Sequence, residues 1–209
     1  MIIISHRGLW REKEEKNSST AFDRSFSLNF GTETDIRDFN GDLVISHDIA
    51  SKSCLTLTEF LKIYKSKNTN LPLALNIKSD GLHKKLYDFL KAHSILNYFV
   101  FDMSIPDTIM HLEEGMNVFI RQSEYESDSS FYDRASGIWL DAFESVWYSE
   151  ELVQKHLDNG KKVAIVSSEL HKREYLKHWN YLKSWDIIND NNLILCTDFP
   201  ETATKFFKK

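Results

Sequence analysis

Short apolar runs recur along the chain and each ends in polar residues: MIIISH from position 1, TETDIRDF from 32, LALNIK from 73, YFVFDM from 98, NVFIRQ from 117, GIWLDAF from 137, KVAIVSS from 162 and LILCTDF from 193. Between them the apolar positions take helical spacing. Phe22, Phe26 and Phe30 follow the cap candidates Asn17, Ser18 and Ser19, and Tyr175, Trp179, Leu182 and Trp185 line up in the seventh interval. Strand alternating with helix predicts parallel pairing with the helices outside. The eight units predict an α/β fold, a single (β/α)8 TIM barrel over residues 1–209, with short connections because such barrels typically need about 250 residues.

An open doubly wound sheet is the alternative, and the ends of the runs separate the two. Polar groups close every run: His6, then Glu33 with Asp35, Asn76 with Lys78, Asp102, Arg121, Asp141, Ser167, and Thr197 with Asp198. An open sheet gathers such groups at one crevice, whereas a barrel gathers them all around one mouth, so the pattern favours the barrel.

The stretch TETDIRDFNGDLVISHD, residues 32 to 48, has a hairpin signal in Asn40-Gly41. Its first run also places Glu33 and Asp35 two residues apart, on one side of a strand. Buried without a partner, each carboxylate would cost several kcal/mol, roughly, or take up a proton. A positive group beside them is therefore expected.

Composition narrows the partners. The chain is 42% hydrophobic and 13% aromatic, with 3 Pro, 7 Gly and no low-complexity tract, which predicts one self-sufficient globular domain. A net charge of −5 disfavours extended contact with nucleic acid. The opening MIII is too short for a signal-peptide core and no run is long enough to span a membrane, so the expectation is a chain that begins here, is cytoplasmic and inserts in no membrane. Cys54 and Cys196 are too few for a disulfide framework and are read as reduced. The charged segment REKEEK at 11–16 reads as a solvated loop, with a cover over a site as the minority reading.

The residues at the run ends add up to a chemistry. His6 and His47 can serve as acid and base; Glu33, Asp35 and Asn76 form an all-oxygen set suited to Mg²⁺ or Ca²⁺; Arg7 and Lys78 add fixed positive charge. That combination suits a phosphate ester. His83, His93, His111, His156 and His178 fall on predicted helices and read as surface or satisfied core residues, with His171 undecided. Trp10, Trp139 and Trp147 read as packing rather than as a binding cleft.

SHRG at the first run, NSSTAF at 17, GTETDIRDFNGDLVISHD at 31, TLTEFL at 56, LNIK at 75 and TDFPE at 197 together resemble the successive motifs of the glycerophosphodiester phosphodiesterases, within the phosphatidylinositol-phospholipase-C-like phosphodiesterase barrels. The resemblance implies that His6 and His47 are the acid/base pair, Arg7 contacts the phosphate, Glu33 and Asp35 ligate a divalent cation, and Lys78 neutralises the phosphoryl oxygens of a small-molecule phosphodiester. It implies attack by a neighbouring hydroxyl of the substrate, giving a cyclic phosphate that water then opens.

Two departures stand out. Where the family has a third carboxylate ligand this chain has Asn76, and Lys16 stands where the family has a Glu before Asn17. Asn76 can still coordinate through its carbonyl oxygen, with one negative charge fewer, so weaker metal binding is expected. The second half resembles the family more loosely. Asp102, Arg121, Asp141 and Glu169 are candidates for binding the substrate's non-reacting group, such as a hydroxyl-rich or amine-bearing one; Asp102, Asp141 and Glu169 equally fit capping or loop roles. Against the leading expectation, a metal-dependent phosphodiesterase, stand a catalytically silent barrel that binds a phosphorylated ligand and a lyase that stops at the cyclic phosphate. The oligomeric state is left open.

Overall fold

The computed structural model describes residues 1–68 and 70–208. All eight apolar runs form strands: β1 (Ile2–His6), β2 (Gly31–Phe39), β5 (Leu73–Ile77), β6 (Tyr98–Phe101), β7 (Phe119–Gln122), β8 (Gly137–Leu140), β9 (Lys162–Val166) and β10 (Leu193–Thr197). Two more, β3 (Asp42–Ile45) and β4 (Leu55–Thr56), are antiparallel additions after β2. The chain packs as two compact units, residues 5–118 and residues 1–4 with 119–209, so that β1 contributes to both.

In the unit of residues 5–118, β2 pairs in parallel with β5, and β5 with β6. The register sets Asp35 opposite Asn76 and Asn76 opposite Phe101. β2 does double duty. Thr32 to Ile36 pair with β5, while Ile36 to Phe39 pair antiparallel with β3 across Asn40 (φ 49°) and Gly41 (φ 86°), the two left-handed residues that a type I′ turn requires. The hairpin signal and the buried-strand signal were thus both present in one segment.

Helices α1 (Ser19–Ser27) and α2 (Leu57–Lys65) start at designed caps. Ser18 accepts from the Ala21 N–H, and Thr56 forms a reciprocal capping box with Glu59. Their apolar faces interlock through Phe22 and Phe60, ring centres 4.7 Å apart and edge to face, and Phe26 and Tyr64 at 5.2 Å. The Tyr64 hydroxyl donates to the Leu71 carbonyl at 2.8 Å. Helices α3 (His83–Ala92) and α4 (Ile105–Glu113) complete this unit. Buried hydroxyls tie β1 to β2: Ser5 Oγ lies 2.8 Å from Ser25 Oγ and donates to Thr32 Oγ1 at 2.9 Å, and Thr32 Oγ1 accepts from the Gly8 N–H at 2.9 Å.

In the other unit β10 pairs with β9, β9 with β8 and β8 with β7, all in parallel. Its helices are α5 (Glu150–Asp158), α6 (Leu176–Lys183) and α7 (Pro200–Phe207). Among the described residues no helix joins β7 to β8, so helices alternate with the eight strands seven times, not eight. The stretch SEYESDSSFYDRAS (123–136) has no apolar face of helical period, and serines bind nearby backbone instead: Ser123 Oγ accepts from the Tyr125 N–H and Ser129 Oγ from the Phe131 N–H. α7 starts at Pro200 with Phe199 at its cap.

Two of the histidines expected on helices, His156 and His178, are satisfied core residues. His156 sits between the Tyr132 hydroxyl and Gln122 Oε1, 2.9 and 2.8 Å away, and His178 between the Tyr148 hydroxyl and Ser168 Oγ, 2.8 and 3.0 Å away. Burial holds the His178 imidazole down to about 4. Both cysteines are free, and among the described residues no helix is long and apolar enough to cross a membrane.

The loop after β1 turns at Gly8 (φ 81°), where an added Cβ would lie 2.8 Å from the Ala21 carbonyl carbon and from its Cβ; at Gly41 it would meet nothing within 4 Å. Gly8→Ala is therefore expected to cost about 3 kcal/mol, backbone strain plus overlap, and Gly41→Ala about 1 kcal/mol, strain alone. Urea unfolding of the two variants tests this, and equal costs would contradict it.

Candidate active site

The candidate site lies in the unit of residues 5–118, where β1, β2, β5 and β6 end. Glu33 and Asp35 are 2% and 0% exposed, so their strand face is interior rather than solvated. The positive groups that their burial demands are present. Arg7 Nε lies 2.9 Å and Lys78 Nζ 3.5 Å from the Asp35 carboxylate, one cation on each oxygen. Asn17 Nδ2 donates to Asp35 Oδ2 at 2.8 Å, and Asn17 Oδ1 in turn accepts from Thr34 Oγ1 at 2.9 Å.

The backbone is bent to bring these groups together. Arg7, Asn17 and Asp102 have φ of 60°, 60° and 67°, the left-handed region that side-chain-bearing residues seldom occupy. Arg7 is held there by its N–H donating to the Glu33 carbonyl at 2.9 Å and its carbonyl accepting from the Asn17 N–H at 3.0 Å. Lys78 is fixed at the end of β5 by donating its N–H to the Ile36 carbonyl at 2.9 Å.

Asn76 is buried, and its Nδ2 donates to Asp102 Oδ2 at 3.1 Å. That bond fixes the amide so that Oδ1 remains as an acceptor. Four buried oxygens here accept no hydrogen bond: Glu33 Oε2, Asp35 Oδ1, Asn76 Oδ1 and Asp102 Oδ1. Buried acceptors rarely stay unsatisfied, and the first three are one from each residue that the sequence assigned to a divalent cation. Three hard oxygen donors, two of them anionic, fit Mg²⁺ or Ca²⁺. Among the described residues no three His, Cys, Asp or Glu side chains gather as a metal-binding group; the third donor here is an amide.

His6, 13% exposed, has Nε2 3.9 Å from Glu33 Oε2. His47 lies on the loop after β3, nearly half exposed, with Nδ1 2.9 Å from Asp48 Oδ1. His47 and Arg7 share the wall of an open cavity of about 780 Å³ that also includes Asn17. Burial, and then the neighbouring Asp35 carboxylate, push the Glu33 carboxyl well above its ordinary range; Arg7 and Lys78 pull the other way.

The remaining candidates have partners within their own unit. Arg121 Nε donates to Glu126 Oε2 at 2.6 Å; Asp141 Oδ1 lies 2.6 Å from His171 Nε2 and accepts from the Ala142 N–H; Glu169 accepts from the hydroxyls of Ser167 and Thr197 and from the Asp198 N–H. Sequence reasoning assigned no site role to Asn17, whose motif pointed only to a helix cap, nor to the contact of Asp102 with Asn76. The signal for the second was available: an amide in place of a carboxylate needs an acceptor to orient it.

No protein-family model matches the chain, and no curated protein matches it. Its fold does match solved structures. A glycerophosphodiester phosphodiesterase from Agrobacterium tumefaciens superposes with a TM-score of 0.73 at 13% identity, over 99% of this chain and 98% of that one. An Oleispira antarctica phosphodiesterase in complex with the product sn-glycerol-3-phosphate gives 0.67 at 15% identity, over 100% and 97%. A Ca²⁺-dependent phosphatidylinositol-specific phospholipase C from Streptomyces antibioticus gives 0.54 at 8% identity, over 100% and 96%. The chain thus has the fold of the glycerophosphodiester phosphodiesterases, which bears out the expected (β/α)8 class and the resemblance at the level of fold.

A buried acid with a raised folded-state pKa binds its proton more tightly than in the unfolded chain. It therefore lowers stability as pH rises from the ordinary glutamate range toward that raised value. In chelator, Glu33→Gln is expected to raise the thermal midpoint at neutral pH and to flatten the decline above the ordinary glutamate range. A variant less stable than the parent at neutral pH would show that Glu33 is already compensated.

Proposed function

We propose that the chain is a phosphoric diester hydrolase that cleaves a glycerophosphodiester or a related small polar phosphodiester, with His6 and His47 as acid/base pair. The observation that carries this reading is the set of three unsatisfied buried oxygens on Glu33, Asp35 and Asn76, with Arg7 and Lys78 beside them. Glu33, Asp35 and Asn76 would hold Mg²⁺ or Ca²⁺, which when bound supplies neutralisation of the diester's charge. Asp102 positions the amide that completes the set.

The protein groups divide the remaining work. Arg7 and Lys78 hold the diester anion and the charge that develops on its oxygens. In the tautomer that donates Nδ1–H to Asp48, His47 presents the Nε2 lone pair that a general base for the attacking hydroxyl needs. His6 Nε2 lies 3.9 Å from Glu33 Oε2 at the cation site, and His6 takes the part of the acid that protonates the leaving alkoxide. A silent binder of phosphorylated ligands has no use for such a pair. The fold shared with glycerophosphodiester phosphodiesterases supports the same reading.

His6→Ala and His47→Ala are each expected to lower kcat by about 10²–10⁴-fold on a glycerophosphodiester. Phosphorus NMR of the products reads the reaction class directly. A monophosphate is expected; a cyclic phosphate as the end product would make the protein a lyase, and no turnover with either Mg²⁺ or Ca²⁺ would make it a binder.

A further inference from the structure

The cavity that shares Arg7 and His47 with the candidate site is larger than a scissile phosphate needs, at about 780 Å³. Three lysines, Lys13, Lys16 and Lys52, stand in its wall. The two carboxylates of that wall are already engaged: Asp48 with His47, and Glu59 with the N–H and hydroxyl of Thr56 at 2.9 and 2.7 Å. Lys16 lies over the Trp10 ring, 4.4 Å from its centre, while Lys13 and Lys52 form no ion pair among the described residues. Three lysines against two committed carboxylates run counter to a chain whose net charge is −5, while Arg7, the fourth cation of the wall, is paired with Asp35. The nine-residue helices α1 and α2 also start in this wall, at Ser18 and Thr56, and add the partial positive charge of two helix N-termini.

The segment 11–16 is built to present these lysines. Lys13–Glu15 form a short 3-10 turn, and Glu15 pins it by pairing with Arg24 at 2.5 Å and accepting from the Arg11 N–H at 2.8 Å. The bonds to Arg24 and Arg11 hold the Glu15 carboxyl down to about 2, so the pin keeps its charge at neutral pH.

We propose that this cavity is a subsite for a second anionic group, so that the substrate class is a phosphodiester carrying a further phosphate or carboxylate beyond the scissile phosphorus. This rests on the phosphodiesterase reading for its link to turnover, and on the cavity alone for binding. Lys13 and Lys52 are the specificity-determining residues, and a head group with a cationic amine is disfavoured.

Calorimetry on the intact protein with sn-glycerol 3-phosphate and with glycerol 1,3-bisphosphate tests the subsite. The bisphosphate is expected to bind about tenfold tighter, through charge-assisted contacts to the lysines. The double variant Lys13→Gln/Lys52→Gln is expected to abolish that preference and leave sn-glycerol 3-phosphate binding unchanged. Equal affinities in the parent, or parallel loss of both ligands in the variant, would overturn the proposal. In turnover, a diester bearing an extra phosphate is expected to have a lower KM than a choline-bearing one, and the double variant to erase the difference at unchanged kcat; a difference that survives the variant overturns it. Preferential bisphosphate binding without turnover of any diester would keep the subsite and remove the enzymatic reading.

Discussion

Two carboxylates on one face of a single strand, closed off from water, are the constraint around which the first unit is arranged. Glu33 and Asp35 cannot both be ionised in that position without positive charge nearby, since each uncompensated buried charge costs several kcal/mol, roughly. The chain answers for Asp35 from two directions, with Arg7 from the end of β1 and Lys78 from the end of β5. Glu33 has the His6 imidazole 3.9 Å from Oε2, and that oxygen accepts no hydrogen bond. Backbone strain gathers in the same neighbourhood, with Arg7, Asn17 and Asp102 at φ of 60°, 60° and 67°.

Much of this was legible in the sequence because it was periodic or local. Eight apolar runs marked eight strands, since a strand covered by helices must be apolar nearly throughout. The Asn40-Gly41 turn and the Ser18 and Thr56 caps are short-range chemistry that a few residues specify. What stayed hidden depends on contacts between residues distant in sequence. Asn17 reaches Asp35 across 18 positions and Asn76 reaches Asp102 across 26, and neither leaves a local signature. The missing helix between β7 and β8 has a different cause: a serine- and acid-rich stretch satisfies its own backbone in turns, and the eightfold rhythm of the strands masked it. Lys13 read as part of a solvated charge run because its anchor, Arg24 acting through Glu15, lies on the next helix.

The replacement of a third carboxylate by Asn76 is coupled to Asp102. An amide in a donor set must have its nitrogen occupied elsewhere or it presents the wrong atom. Asp102 occupies it, and it also returns a negative charge to the neighbourhood, which acts on Glu33 as a further upward influence. The reading that the cation is held by one amide and two carboxylates therefore implies a site of reduced formal charge in its inner donors, with an acid one bond further out.

Titration of the purified protein with Mg²⁺ and Ca²⁺ by calorimetry, beside Glu33→Gln and Asn76→Glu, tests the central claim most directly. The account predicts one divalent cation per chain, binding lost in Glu33→Gln and strengthened in Asn76→Glu. Unchanged affinity in both variants would contradict it, because the buried oxygens of β2 and β5 would then face something other than a metal ion.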